Sequence, residues 1–295
     1  MVRSKKLTER AFDALVIALG GATGLLCLAP IWHTLAVSFS NKAAAAAGYV
    51  YFWPVQFSWF SYEKLLEDDQ FLRSFWISIE RVAIGGALNF LLTVLLAYPL
   101  SKTARTVPGR NVVMWILVFT MLFNAGLIPW YMTIKELNLL DTIWALTLPG
   151  AVPVFNVILL MNFFRGIPKE LDEAATVDGA GPWSALVRIF LPVSLPALAT
   201  ITLFSVVGHW NSFFDGLILM NRPEHYPLQT YIQQLVVIFT TSSILNPEDA
   251  ERLAQISNKT LNAAKLFVAM LPVLLVYPLL QRYFIHGIVL GSVKE

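Results

Sequence analysis

Six long apolar stretches are the feature that most constrains how this chain can fold. A hydrocarbon core of about 30 Å requires about 20 mostly apolar residues in a helix that crosses it. Lipid offers no partners to backbone polar groups, so membrane spans are helices or closed barrels, and the alternating strands of a barrel are absent from the sequence. We therefore predict an all-α membrane protein with six transmembrane helices, at approximately 13–39, 73–100, 112–132, 143–164, 191–220 and 261–285.

Composition supports the same class of protein. The 295 residues are 57% hydrophobic and only 14% charged, whereas about one quarter of the residues in soluble domains are charged. The formal net charge of +2 gives no general affinity for polyanions, so a nucleic-acid partner is not expected. Cys27 is the one cysteine, which excludes an internal disulfide and a cysteine-based metal cluster. We expect one transmembrane domain over 1–295 and, because the first apolar run is too long, no cleavable signal sequence.

The distribution of lysine and arginine predicts the orientation in the membrane. Twelve of these residues lie in the N-terminal tail, the loops after the second and fourth stretches, and the C-terminal end. The opposite loops, 40–71, 133–142 and 221–260, hold six although they are together longer. Because basic loops stay in the cytoplasm, both termini and the loop 165–190 are predicted to be cytoplasmic. The outer loops could dock an external partner or be ordinary loops with interfacial aromatic side chains.

Acidic and small residues are concentrated in the cytoplasmic loop 165–190, which contains "ELDEAATVDGAGPW" at 170–183. Pro168 suits the first turn of a helix, and the acids that follow it suit the positive end of the helix dipole. Gly179 suits a helix end, and Pro182 suits the start of another. The pattern predicts a short helix of about 11 residues, a glycine turn and a second short helix. On charge alone, the acids could simply cap a surface helix.

The spacing within this loop is more specific than its charge. Glu173-Ala174-Ala175, three residues, Gly179, nine residues, Ile189, one residue and Leu191-Pro192 resemble the E-A-A-x3-G-x9-I-x-L-P loop of ABC importer permeases. In that family the loop is a coupling helix that docks into a groove on a cytoplasmic ATPase subunit. The C-terminal "GSVKE" is similar to the family's Gly-x-Val-Lys ending, which reaches toward the ATPase interface. The resemblance implies ATPase-coupling roles for Leu171, Glu173, Ala174, Ala175, Asp178, Gly179 and Lys294.

From about residue 70 to its end the chain resembles the carbohydrate branch of these permeases, mainly over 124–164 and 271–295. The similarity is to the smaller partner permease of importers for oligosaccharides or polysaccharides such as alginate. It implies a type I ABC importer permease fold in a bacterial cytoplasmic (inner) membrane. The implied partners are a second, different permease, two cytoplasmic ATPase subunits and an external or periplasmic solute-binding protein. ATP and Mg would bind the ATPases, with no cofactor on this chain, and a homodimeric permease remains an alternative.

One departure from the branch lies at the start of the second stretch. The branch often has an asparagine in a Phe-x-Asn-Ser pattern, whereas this chain has Ile77 before Ser78. A role of that asparagine therefore does not transfer to this chain. Glu80 and Arg81 follow, and they could pair with each other or with a partner chain.

Polar and aromatic residues within the apolar stretches are candidates for a substrate path. Such groups are costly in a membrane and usually face a cavity or another helix. Aromatic rings could stack on sugar faces while amides bind hydroxyls, although asparagine and tryptophan also join neighbouring helices. Prolines predict broken helices at Pro149/Pro153, Pro192/Pro196 and Pro272/Pro278. The path candidates are Trp210, Asn211, Phe213, Asp215, Asn124 and Asn156.

No catalytic site is predicted. Asp172 and Glu173 are adjacent and project from different faces of a helix, and no phosphate-binding G-x-x-x-x-G-K-[ST] motif occurs. The four histidines lack metal-ligand spacing. Two other functions remain possible, a secondary transporter or channel, and a membrane enzyme that acts on lipid-linked sugars.

Overall fold

In the computed structural model, residues 7–241 and 259–291 are described, with side chains over 12–235 and 259–279. These ranges contain helices and turns and no β-strand. A π-helical turn covers Leu186–Phe190, and a 3-10 turn covers Pro223–His225. The α-helices are α1 (Leu7–Ser38), α2 (Lys42–Ala46), α3 (Phe60–Leu66), α4 (Asp69–Ser101), α5 (Arg110–Leu122), α6 (Leu127–Glu136), α7 (Ile143–Thr147), α8 (Val154–Arg165), α9 (Lys169–Val177), α10 (Pro182–Ala185), α11 (Leu191–Val193), α12 (Leu195–Asn211), α13 (Phe214–Leu219), α14 (Leu228–Thr241) and α15 (Lys259–Gly291).

Three helices are long and apolar enough to cross a membrane, at Phe12–Ser38, Asp69–Ser101 and Lys259–Leu279. They correspond to the first, second and sixth predicted stretches. Two further candidate spans are bent pairs, α5 with α6 at 116° and Pro182–Val193 with α12 at 84°. The described residues therefore contain three to five candidate spans. The other three predicted stretches, 112–132, 143–164 and 191–220, are interrupted rather than continuous.

The break in 112–132 lies between α5 and α6. Phe123 has extended backbone geometry after the end of α5, and Gly126 has φ 88°, a region that L side chains rarely adopt. The side-chain Oδ1 of Asn124 accepts a hydrogen bond of 2.8 Å from the Gly126 N–H. This local bond satisfies a donor that the interrupted helix leaves free.

The break in 143–164 separates α7 from α8 and contains Pro149 and Pro153, as their positions predicted. The Pro192/Pro196 prediction is also confirmed, because the chain bends by 84° between Val193 and Leu195. The Pro272/Pro278 prediction is wrong, since both prolines lie inside the single helix α15. Membrane helices tolerate proline where neighbouring groups satisfy the freed carbonyls.

The chain forms two compact units. The first contains Met1–Asp69 and Leu235–Met270, and the second contains Gln70–Gln234 and Leu271–Glu295. In the first unit, the aromatic-rich segment 49–62 contacts the end of α1. Trp32 Nε1 donates to the carbonyl of Phe52 at 2.7 Å, and the hydroxyls of Ser38 and Tyr62 lie 2.8 Å apart.

In the second unit, α4, α5, α8 and α12 pack around one apolar cluster. Ala97, Val157 and Leu160 are fully buried there, and Ile201 is 1% exposed. This cluster also includes Leu186 and Phe190 of the π-helical turn. The core that holds these helices together therefore extends to the loop 165–190.

Asp141, in the loop before α7, holds the segment after α13. Its Oδ1 accepts hydrogen bonds from the backbone N–H groups of Asn221 and Arg222, at 3.0 and 3.3 Å. The Nδ1 of His225 lies 3.0 Å from the same oxygen. Burial alone would raise the pKa of Asp141, but these contacts outweigh it and lower the pKa.

We predict that Gly85→Ala destabilises the protein while Gly86→Ala does not. A Cβ on Gly85 would lie 2.5 Å from Nε2 of His209, whereas a Cβ on Gly86 would meet no atom within 4 Å. Overpacking of this kind typically costs about 1–3 kcal/mol. Both changes gain about 1 kcal/mol of helix propensity, so Gly86→Ala is the matched control. Thermal unfolding in detergent measures the difference, and equal midpoints would show that α4 and α12 are not closely packed here.

Candidate functional site

The short helix α9 and its glycine turn form a well-defined structural motif. The N–H of Ala180 donates to the carbonyl of Ala175 at 2.8 Å, and the N–H of Gly179 donates to Thr176 at 3.1 Å. Gly179 has φ 75°. These bonds define a Schellman cap, in which glycine adopts the left-handed conformation that ends the helix. The sequence prediction of a short helix and a glycine turn is confirmed.

Two details of that prediction need correction. The helix has 9 residues rather than about 11, because Pro168 is its N-cap. Its first-turn acids are Glu170 and Asp172, while Glu173 comes one residue later. Adjacent residues on a helix are rotated by about 100°, so Glu173 does not share the surroundings of Asp172.

The predicted coupling residues are mostly exposed, with one exception. Glu173, Ala174, Asp178 and Gly179 are exposed, and Leu171 is 41% exposed. Ala175 is 6% exposed and packs inward, so the two alanines of the motif differ in their surroundings. Exposed apolar side chains adjoin this surface at Val177, Trp183 and Val187. Lys294 lies outside the described residues, as do Arg3, Lys5 and Lys6.

An ion pair joins α9 to the end of α4. Lys102 Nζ donates to Asp172 Oδ1 at 2.7 Å. The same ammonium lies 4.6 Å from the ring centroid of Tyr98 and 4.2 Å from that of Phe190, distances typical of cation–π contacts. Sequence reasoning missed this pair because its members are 70 positions apart.

A second ion pair lies within the apolar part of unit two. The Arg81 guanidinium binds both carboxylate oxygens of Asp215, with Nη1 to Oδ1 at 3.1 Å and Nη2 to Oδ2 in close contact. Arg81 is therefore paired with Asp215, whereas the sequence suggested Glu80 or a partner chain. Arg81 is 3% exposed and Asp215 is 18% exposed at the side chain.

Asp215 also satisfies the break between α12 and α13. Its Oδ1 accepts hydrogen bonds from Ser212 Oγ at 2.8 Å and from the Gly216 N–H at 2.9 Å. Arg81 Nη1 additionally donates to the Ser212 carbonyl at 3.3 Å. The carboxylate thus accepts a backbone N–H of the first turn of α13 and neutralises a buried cation.

Asn89 performs a comparable role at the break between α7 and α8. Its amide lies 3.2 Å from Nε2 of His209. With the amide oxygen turned toward that nitrogen, the amide nitrogen donates to the Gly150 carbonyl at 3.0 Å and to the Ala151 carbonyl at 3.3 Å. A side chain from α4 therefore binds carbonyls that the interrupted helix leaves free.

Two cavities in the second unit bring several of the predicted path residues together. A cavity of about 490 Å³ is lined by Asn156 and Asp215, and one of about 1000 Å³ by Asn124 and Asp215. Trp210, Asn211 and Phe213 line neither cavity. Sequence reasoning had not assigned Arg81, Asn89 or His209 to the path, yet all three line the smaller cavity. The sequence feature that could have identified them is a polar side chain within an apolar stretch.

Two of the path candidates, Trp210 and Asn156, make contacts between helices. Trp210 is 4% exposed, and its ring centroid lies 5.6 Å from that of Phe75. Asn156 Nδ2 lies 3.3 Å from both the Ile201 carbonyl and Ser205 Oγ, which joins α8 to α12. Asn211 is exposed and Phe213 is 39% exposed. Over the described ranges, no three His, Cys, Asp or Glu residues form a group that could hold a metal ion.

Comparison with known proteins identifies the class of protein. Residues 87–290 match the family described as "Binding-protein-dependent transport system inner membrane component". The chain belongs to this family. The matched range includes the loop 165–190, the Schellman turn, the lining of the larger cavity and that of the smaller cavity except Arg81.

Two relatives from Bacillus subtilis (strain 168) match almost end to end. Protein LplC is 38% identical over 97% of this chain and 95% of its own. The polygalacturonan/rhamnogalacturonan transport system permease protein YtcP is 37% identical over 98% of this chain and 100% of its own.

A solved structure extends the comparison to three dimensions. One chain in the crystal structure of a bacterial ABC transporter involved in the import of the acidic polysaccharide alginate is 33% identical, with a TM-score of 0.84. The match covers 96% of this chain and 100% of that one. A chain of a bacterial alginate ABC transporter in complex with a pentasaccharide-bound periplasmic protein is 17% identical, with a TM-score of 0.54, and shares the fold.

We predict that Asp215→Asn strongly destabilises the protein. Asparagine can still accept the hydrogen bonds of Ser212 and Gly216, but it leaves the buried Arg81 without a carboxylate. Removing one partner of a buried pair costs about 3–5 kcal/mol. Thermal unfolding in detergent measures the loss.

The double variant Arg81→Met/Asp215→Asn should recover much of this stability, since it removes the buried charge as well. Glu80→Gln is the matched control, because it neutralises an exposed acid adjacent to Arg81. If Asp215→Asn unfolds at the same temperature as Glu80→Gln, the ion pair contributes little to the fold.

Proposed function

We propose that this chain is a transmembrane permease subunit of an ATP-driven importer that receives carbohydrate from a solute-binding protein. It would form the translocation path together with a second, different permease. Family membership supports the transport role, and the names of YtcP and the alginate transporter support a carbohydrate substrate. The observation that carries the proposal is α9, a capped helix on which Glu173 and Ala174 are exposed.

The knob formed by α9 and Gly179 would dock into a groove on a cytoplasmic ATPase subunit. Its exposed small side chains permit close approach of the partner, and Glu173 and Asp178 offer carboxylates to basic groups there. Ala175, which faces inward, would support the knob rather than contact the ATPase. ATP and Mg would bind the two ATPase subunits, with no cofactor bound to this chain. Lys294 would add a contact from the C-terminal end.

The proposed topology has six spans with both termini in the cytoplasm, in the inner membrane of a bacterium. The two bent pairs would each form one span, and α7 with α8 would form another. All six would belong to one permease domain over 1–295. This arrangement places loop 165–190 on the side where basic residues concentrate, as expected for a cytoplasmic loop.

The proposed substrate is an oligosaccharide or a polysaccharide such as alginate. The transport system of YtcP is named for polygalacturonan and rhamnogalacturonan, and the solved structure at 33% identity belongs to an importer of alginate. The cavities lined by Asn124, Asn156 and Asp215 would contribute to the path, with Trp210, Asn211 and Phe213 as further candidates. A large share of the substrate contacts would come from the second permease and the binding protein.

We predict that Glu173→Ala and Gly179→Asp each release the ATPase subunits while the permease remains in the membrane. Glu173→Ala removes an exposed carboxylate from the knob. Aspartate tolerates positive φ better than most residues, so Gly179→Asp adds a charged side chain to the docking surface without abolishing the turn. Co-purification of the ATPase with the tagged permease measures the effect, and we expect at least about a tenfold loss for a lost charge-assisted contact.

The matched control is Glu63→Ala, which removes an exposed acid of α3 in a loop predicted to lie on the other side of the membrane. It should leave ATPase association unchanged. Normal association and transport in both Glu173→Ala and Gly179→Asp would refute a coupling role for this loop.

The substrate is tested with the binding protein and reconstituted complex. We predict that saturated uronate oligosaccharides of alginate or polygalacturonate raise the melting temperature of the cognate binding protein and stimulate ATPase activity of the complex. Neutral oligosaccharides of the same length are the control for charge. Stimulation by a non-carbohydrate solute, with none by any oligosaccharide, would contradict the proposed substrate class.

A further inference from the structure

The lysine at the end of α4 is held by three separate elements. Its ammonium donates to Asp172 of α9 at 2.7 Å and faces the rings of Tyr98 in α4 and Phe190 in the π-helical turn. The two rings pack against each other with centroids 5.1 Å apart. The Lys102 side chain is 15% exposed and that of Asp172 is 40% exposed, so the pair lies at the edge of the core.

This ion pair is an important contact between α9 and α4, because the space beside it is not filled by packed side chains. A cavity of about 510 Å³ borders both Lys102 and Asp172, with Trp183 and Thr176 also in its wall. Close packing therefore does not fill this side of the joint. A charge-assisted hydrogen bond fixes direction and distance where apolar contacts are sparse.

The end of α4 has a second contact to the same loop region. Arg165 Nη2, at the end of α8, donates to the Leu100 carbonyl at 3.2 Å. The C-terminal end of α4 thus accepts a hydrogen bond from a cation of α8. Lys102, directly after α4, binds Asp172 of α9. The start of the loop and its short helix are both attached to the same point of α4.

Helix α4 continues from this point to the polar cavity. It runs without interruption over 33 residues, which corresponds to about 50 Å. Arg81 and Asn89 lie on it and line the smaller cavity. One continuous helix therefore connects this end to the side chains that bind the breaks at Ser212 and Gly150.

We propose that Lys102 and Asp172 form a latch that transmits movement of α9 to α4. This inference rests on the proposed coupling function of the loop and assigns its positioning residues. Glu173 and the knob contact the ATPase, whereas Asp172, the preceding residue, binds Lys102 and connects the knob to the permease body. Loss of the latch uncouples ATP hydrolysis from transport and leaves the ATPase bound.

The test uses the complete complex with Lys102→Met, Asp172→Asn and the double variant. Methionine keeps an unbranched apolar chain between the two rings, and asparagine keeps the shape of aspartate. Each single variant should lower transport per ATP hydrolysed by about tenfold, a value within the range typical of coupling between sites. Because both changes break one interaction, the double variant should lose no more than either single variant.

Two further variants separate positioning from general damage. Lys102→Arg retains a cation that can reach Asp172 and should recover most of the coupling. Arg105→Met removes an exposed cation three residues away and should behave like the unchanged protein. Normal transport per ATP in both single variants would overturn the latch.

ATPase association distinguishes this proposal from the proposed function. The latch predicts that the ATPase subunits co-purify in normal amounts with Lys102→Met and Asp172→Asn. If they are lost from both variants but retained by the unchanged chain, the pair shapes the docking surface and the latch is wrong. If the unchanged chain itself fails to bind any ATPase, the proposed function fails.

Discussion

The structure depends on how backbone polar groups are satisfied where a helix stops inside an apolar environment. A continuous helix satisfies its own amides and carbonyls, but a break exposes several of them to a medium that offers no water. In the second unit, side chains supply the missing partners. Asn124 accepts from the Gly126 amide, and Asp215 accepts from the Gly216 amide. Asn89 donates to the carbonyls of Gly150 and Ala151 when its amide oxygen is turned toward His209.

This requirement explains why the polar residues within apolar stretches lie near cavities. A broken helix leaves space around the break, and the side chain that caps the break necessarily borders that space. Asp215 additionally needs a cation because a carboxylate is costly to bury alone, and Arg81 provides it. The polar residues that line the smaller cavity therefore stabilise the fold, independently of any contact with substrate. A polar group in a membrane helix is thus weak grounds for assigning a substrate contact without its geometry.

The sequence predicted the class of fold because apolar length is a direct response to membrane thickness. It predicted α9 and Gly179 because turn chemistry and the E-A-A spacing are local. The breaks were harder to predict, because the mean hydropathy of a whole stretch does not reveal an interruption of a few residues. Proline marked two of them correctly, but the bend at Asn124 and Gly126 and the break at Ser212 contain no proline. The pairs Arg81–Asp215 and Lys102–Asp172 were out of reach, because they join residues 134 and 70 positions apart.

The two adjacent acids of α9 show how a single turn of helix can serve two surfaces. Rotation by about 100° per residue separates the direction of Asp172 from that of Glu173. One carboxylate binds Lys102 within the chain, and the other is exposed beside Ala174. A knob that only displayed acids to a partner would move independently of the helices behind it. A knob anchored by Asp172 can transmit force to those helices. The two adjacent acids therefore have different roles, which depend on the direction of each carboxylate.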